Sequence, residues 1–130
     1  IKGPGMLEIG RMLLRTETGK IKTLDQIASI AGIEKNAETP LTKLRNTERG
    51  RQLLQEATEA LALTIANGAL LFDVSTILLC GKFLTAEQGI WDELKEELLK
   101  LLPKDTRIFR YDEKRAAAGA AWIAAERRIK

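Results

Sequence analysis

The chain has 130 residues, 45% of them hydrophobic and 30% charged, the proportions of one ordinary globular domain with a core that needs no staples. With one cysteine and no histidine, an intrachain disulfide, the usual Cys/His zinc sites and any histidine-dependent nucleophile are excluded. The formal charge of +3 comes from basic residues interleaved with acidic ones, which argues against the basic stripe of a nucleic-acid binder.

The first fifteen residues read IKGPGMLEIGRMLLR. Gly3-Pro4-Gly5 is a turn, and Met6, Leu7, Ile9, Met12, Leu13 and Leu14 form an apolar cluster with helical spacing. The plain reading is a glycine turn before a core helix. A sharper one, amides freed by glycine to approach a phosphate, fits neither the P-loop nor the dinucleotide fingerprint. Thr16 to Lys22 is polar and turn-like. Thr23-Leu24-Asp25-Gln26 has the form of a capping box, predicting a short helix from Leu24 to Ala31 that stops at Gly32. The segment TLDQIASIAGIEKNAETPLTKL has the outline of a helix-turn-helix, but Pro40 would interrupt its second helix at a cost of about 3 kcal/mol. A helix followed by an irregular connector is the better expectation.

The stretch from Arg49 to Phe83 organises the rest. Leu54, Ala57, Leu61, Ile65 and Gly68 fall on one face of a long helix. Val74 to Cys80, V-S-T-I-L-L-C, is β-branched and apolar, and reads as a strand covered on both faces. Cys80 at its end is expected to be a small buried residue rather than a nucleophile. Gly81-Lys82-Phe83 then forms the turn at the carboxyl end of that strand, where open α/β sheets collect ligands. Thr85-Ala86-Glu87-Gln88 again has capping-box form. It predicts a helix whose buried stripe is Trp91, Leu94, Leu98, Leu101 and Leu102, with Glu96 and Lys100 paired outside. Thr106 to Tyr111 alternates as a second strand, a parallel neighbour of the first. The closing DEKRAAAGAAWIAAERRIK carries acids at its start and bases at its end, as a helix prefers. Gly119 in its middle implies close packing or room for a ligand.

The order of these pieces, ALALTIANGALLFDV, STILLCGKF, helix, short strand and KRAAAGAAWIAA, resembles the C-terminal lobe of the actin-like ATPase superfamily, the group of sugar kinases, Hsp70 and actin. ROK-type kinases and BadF/BcrA-type ATPases look most similar, over about residues 48–127 and loosely over 1–32. The resemblance implies an α/β, ribonuclease H-like lobe, helix-rich with a small, mainly parallel sheet. It implies an adenine nucleotide, ATP or ADP with Mg²⁺, held at the turn after the strand and beside the glycine of the last helix. Those roles fall on Gly81, Lys82 and Phe83, and on Gly119 and Ala120. Gly5-Met6-Leu7-Glu8 resembles the ROK element Gly-Cys-x-Glu, which makes Glu8 a candidate sugar ligand, with Met6 where that motif has its zinc-binding cysteine. The phosphate loop and catalytic aspartate of this superfamily lie in or near the N-terminal lobe, and no such motif is found in the chain.

The expectation is therefore one domain, residues 1–130, the C-terminal fragment of a longer two-lobed cytoplasmic protein, which by itself transfers no phosphoryl group. Its partners would be an adenine nucleotide, a small-molecule substrate or effector, the N-terminal lobe, and a second copy in a homodimer. Two other readings share the sequence: the effector-binding lobe of a ROK-type sugar-responsive repressor, and an interaction domain that binds no ligand.

Overall fold

A computed structural model describes residues 9–111. A single 3-10 turn, Ile9–Arg11, leads into a short antiparallel hairpin of β1 (Leu13–Arg15) and β2 (Ile21–Thr23), with Leu14 opposite Lys22. The helix expected across Met6 to Leu14 is therefore absent from the described part of that stretch. A five-residue turn decides the matter: Thr16 N–H donates to Lys20 O at 2.8 Å, and Gly19 takes φ +82°, folding the chain back on itself. Six apolar residues are too few to specify a period, and local turn chemistry won.

Next come α1 (Leu24–Ala28) and α2 (Ile30–Ala37), where one helix stopping at Gly32 was predicted. Thr23 and Gln26 do form the reciprocal capping box. The helix then breaks three residues early, at Ser29. Its hydroxyl donates to Asp25 O and accepts from Gly32 N–H, so serine serves the end of one helix and the start of the next. Gly32 lies inside α2. That helix ends at Ala37 in a left-handed Glu38, and Pro40 opens a 3-10 helix, Leu41–Asn46, as the irregular connector.

Helix α3 (Glu48–Leu71) is the spine, capped by Thr47, whose hydroxyl accepts from Gly50 N–H at 3.0 Å. Leu54 and Ala57 are buried as the periodicity requires, whereas Leu61, Ile65 and Gly68 are only half-buried. The fully buried line continues through Thr58, Ala62, Ala66 and Ala69. Small side chains there let neighbouring elements approach closely. Strands β3 (Thr76–Cys80) and β4 (Arg107–Tyr111) pair in parallel, Thr76 beside Arg107 and Cys80 beside Tyr111, as the sequence predicts. Between them run α4 (Lys82–Ala86) and α5 (Gln88–Leu101).

Two hydrophobic clusters result. In the first, Ala62, Ala66 and Ala69 of α3 meet Leu84, Leu94, Leu98 and Leu102, with Ile77, Leu79 and Ile108 of the sheet against them. In the second, Leu54 and Ala57 meet Ile33, Leu41, Leu44 and Ile90. Phe83 packs on both.

Four expectations fail here. The β3 strand is not covered on both faces by the described residues: Ile77 and Leu79 point inward, while Thr76, Leu78 (60% exposed) and Cys80 point out. Cys80 is accordingly exposed rather than buried. The Thr85 capping box does not form either. Thr85 Oγ1 donates to Lys82 O, and the helix restarts after Glu87, which is extended (φ −151°) and makes no side-chain cap. The break turns Leu84 into the first cluster and Ile90 into the second, which one continuous helix from Thr85 would not achieve. Leu101 is exposed and Ile90 replaces it in the buried set, while Trp91 is half-buried under the Arg110 guanidinium, 5.3 Å from its ring centre.

Candidate functional site

The β3 strand ends where the sequence points, at Gly81. That residue adopts φ +138° and ψ 157°, a backbone region open essentially to glycine alone. A Cβ placed there would meet nothing within 4 Å. Glycine is thus demanded by the turn itself rather than by a crowded neighbour, and the space above it is open.

The turn borders a cavity of about 230 Å³. Its walls come from five elements: Leu24, Asp25 and Ala28 of α1, Leu61 and Ile65 of α3, Leu79 to Gly81 at the end of β3, Phe83 and Leu84 of α4, and Leu94 of α5. Ile9 and Gly10 close the remaining side. The volume lies below the roughly 300–1,000 Å³ of sites that engulf a drug-sized ligand, and suits one ring system with the rest of a ligand outside.

Of the residues singled out from sequence, the structure brings Gly81 and Phe83 to this cavity, with Cys80 on its rim. Lys82 is exposed at the first position of α4 and does not line it. Phe83 has a second task, as the ring shared by both hydrophobic clusters. Glu8, Gly119 and Ala120 lie outside the described residues. The α1 wall and the Leu61–Ile65 wall were not anticipated. Leu61 and Ile65 were legible as apolar helix residues, but not as half-buried ones facing a cavity. Asp25 was visible only as an interior letter of the capping box.

A larger recess of about 310 Å³ runs between α3 and α5, lined by Arg45, Arg51, Thr58, Glu59, Glu93 and Glu97 among others. Its charges are already used. Arg45 donates through Nε to Glu87 and through Nη1 to Glu93 at 2.9 Å, tying the 3-10 connector to the start of α5. Its hydrogen bond to Glu93 raises the Arg45 pKa above the ordinary guanidinium value; burial pulls the other way, and the bond to Glu87 adds to the rise. Arg51 pairs with Glu48 and donates to Arg45 O at 2.8 Å. A smaller recess of about 120 Å³ at the hairpin turn mixes Lys22 and Arg49 with Glu17 and Glu56. Paired charge in the larger recess, and a small volume of mixed charge in the other, make both worse binding sites than an apolar cavity at a strand's carboxyl end.

Among the described residues, no group of three acidic or thiol side chains converges as a metal ion requires. The described lining of the Gly81 cavity, apolar apart from the Asp25 carboxylate, offers no cation for triphosphate oxygens and too few oxygen ligands for Mg²⁺. No described helix is long and apolar enough to cross a membrane.

No protein-family model matches the sequence, and no curated protein matches it. Among solved structures, the chain is similar to the crystal structure of a ROK hexokinase from Thermus thermophilus. The TM-score is 0.60 at 20% identity, over 79% of this chain and 42% of that one. The chain thus spans less than half the length of that hexokinase. What they share is the fold: α/β, ribonuclease H-like, the actin-like ATPase lobe, with many helices and a small parallel sheet.

Proposed function

We propose that the chain is the C-terminal, nucleotide-binding lobe of a two-lobed small-molecule kinase or ATPase of the actin-like fold, at the ROK end of that group rather than the BadF/BcrA end. The observation that carries this reading is the apolar cavity at the carboxyl end of β3, bounded by Gly81 in its glycine-only conformation. The hexokinase likeness supports it, and the shared span fits a lobe rather than a whole enzyme.

In this reading the base of ATP or ADP enters the cavity against Phe83 with Gly81 beneath it. Lys82 stands outside on the phosphate side, with Gly119 and Ala120 as further nucleotide-binding residues and Glu8 as a sugar ligand. Mg²⁺ and the phosphates are held by the N-terminal lobe, so the chain binds nucleotide weakly and transfers nothing alone. Such a protein works in the cytoplasm.

Titration of ADP into the isotope-labelled chain, followed by NMR, tests the reading. Amide shifts should concentrate at residues 79–84, 24–28 and 115–122. Gly81→Val should remove them while leaving the amides of the Leu54–Ile90 cluster in place, and Glu96→Ala should change nothing. Absence of shifts at millimolar ADP, or shifts scattered away from the cavity, would refute it.

A further inference from the structure

The Gly81 cavity contains one charged wall. Of the described side chains that line it, Asp25 alone carries a charge; the others are aliphatic or aromatic, with Cys80 among them. Three observations bear on what that carboxylate does. First, it takes no part in the helix cap. The cap of α1 is completed by Thr23 and Gln26, and among the described residues the Asp25 side chain has no hydrogen-bond or ion-pair partner. Second, it is pressed onto Gly10, where a Cβ would collide with both carboxylate oxygens. Glycine at position 10 lets the carboxylate lie across the 3-10 turn beside the cavity, and any larger residue would push it away. Third, Asp25 is exposed while the other described side chains that line the cavity are apolar, so its acceptors stand at the open side, where the part of a ligand left outside the cavity would meet them.

A carboxylate is an acceptor only, with two oxygens set side by side. Its fitting counterpart is a pair of adjacent donors on a ring whose C–H face packs on hydrocarbon. A vicinal diol of a sugar ring has that form, and an acidic side chain holding a ribose hydroxyl is a recurrent solution in nucleotide sites. We propose that Asp25 is the specificity residue of this cavity and binds a vicinal sugar diol, with Gly10 as its positioning residue. The proposal deepens the nucleotide reading and rests on it for the choice of cavity. The diol has two available sources: the ribose of an adenine nucleotide, or a free hexose.

The test uses the chain with four probes: ADP, its 2′,3′-dideoxy analogue, glucose and 1,5-anhydroglucitol, whose ring keeps vicinal hydroxyls. Hydrogen bonds to a charged group are worth about 1.5–3 kcal/mol, less where water competes, so loss of the pair should cost about tenfold in affinity. If the ribose is the source, ADP should bind about tenfold tighter than the dideoxy analogue, and Asp25→Ala should abolish that preference. Gly10→Ala should weaken it with the carboxylate still present. If a free hexose is the source, glucose and anhydroglucitol should shift the Gly10, Asp25 and Gly81 amides, and Asp25→Ala should remove those shifts. The Thr23–Gln26 cap does not use Asp25, so the variant should fold with the amides of the Leu54–Ile90 cluster unmoved. Equal binding of ADP and its dideoxy analogue, with no hexose response that depends on Asp25, would overturn the proposal while leaving the nucleotide reading intact. Hexose binding through Asp25 with no ADP binding would keep the proposal and refute the nucleotide reading. No binding of any probe would refute both.

Discussion

The two halves of α3 are packed by different rules. Near its start, backbone sets the distance: Gly50 is buried directly under the carbonyl of Leu44, and a Cβ there would overlap that oxygen and lie 2.7 Å from its carbon. The 3-10 connector therefore rides on the helix itself, with Leu44, Ile33 and Ile90 closing over Leu54 and Ala57. Toward its end, side chains set the distance. Ala62, Ala66 and Ala69 make a shallow groove that takes Leu94, Leu98 and Leu102 from α5 and the inward residues of the sheet. Beyond that groove Leu70, Leu71 and Phe72 are exposed. The candidate cavity lies at the seam of these regimes, between Leu61, Ile65 and Phe83, where neither rule fills space completely. A closed, backbone-gauged half and an open, side-chain-gauged half give a rigid platform with a fillable edge.

The comparison can be broken first at its side-chain end. Leu98 is fully buried in the first cluster, and Leu98→Ala should cost about 3 kcal/mol, within the range of about 2–5 kcal/mol for such truncations. Urea unfolding would read this as a lower midpoint with unchanged slope. A loss below about 1 kcal/mol would mean that the groove of alanines collapses onto the gap and is not a fixed surface.

The backbone end is sharpened by two glycines of the same helix. Gly50→Ala gains about 1 kcal/mol of helix propensity but must displace the Leu44 carbonyl, an overpacking cost of about 1–3 kcal/mol, so a net loss of up to about 2 kcal/mol is expected. At Gly68 a Cβ would meet nothing within 4 Å, and Gly68→Ala should stabilise by up to about 1 kcal/mol. Opposite signs for one substitution on one helix would establish that direct backbone-on-backbone contact is confined to the first half. Thermal midpoints moving the same way in both variants would remove the distinction.

These elements also show what the sequence discloses. Elements whose signal is long or locally closed were readable: the helix through Leu54 and Ala57, the parallel neighbours Ile77 and Ile108, and the Thr23–Gln26 box. The turn at Gly81 was readable too, since glycine directly after an apolar strand marks a backbone only glycine accepts. What was hidden depends on tertiary partners. Ser29 breaks a helix because its hydroxyl has two backbone partners, and Glu87 sits at a break where Arg45, 42 residues away, meets its carboxylate. Asp25 became a cavity wall only once Gly10 was folded against it. The outer face of β3 was misread because a continuous apolar run does not say which side has a neighbour. Phe109 (43% exposed) shares that uncovered face with Leu78, its register partner.

The smallest expected effect separates two sequence patterns of the same form. Thr23-x-x-Gln26 and Thr85-x-x-Gln88 both spell a capping box, yet their surroundings differ. At the first, Gln26 N–H donates to Thr23 Oγ1 at 3.3 Å and Thr23 N–H donates to Gln26 Oε1 at 2.9 Å, so two otherwise orphaned amides depend on the pair. At the second, Thr85 lies inside α4, and its exposed hydroxyl only donates to Lys82 O at 3.3 Å. Thr23→Ala should therefore cost about 1 kcal/mol, and Thr85→Ala no more than a few tenths, about the scale of an exposed surface change. Amide exchange gives the sharper reading, because protection should fall at Leu24 to Ile27 in the first variant and stay unchanged at Gln88 to Trp91 in the second. If Thr85→Ala instead frayed α5, that helix would begin at its capping box after all, Ile90 would leave the second cluster, and the seam beside Phe83 would close differently.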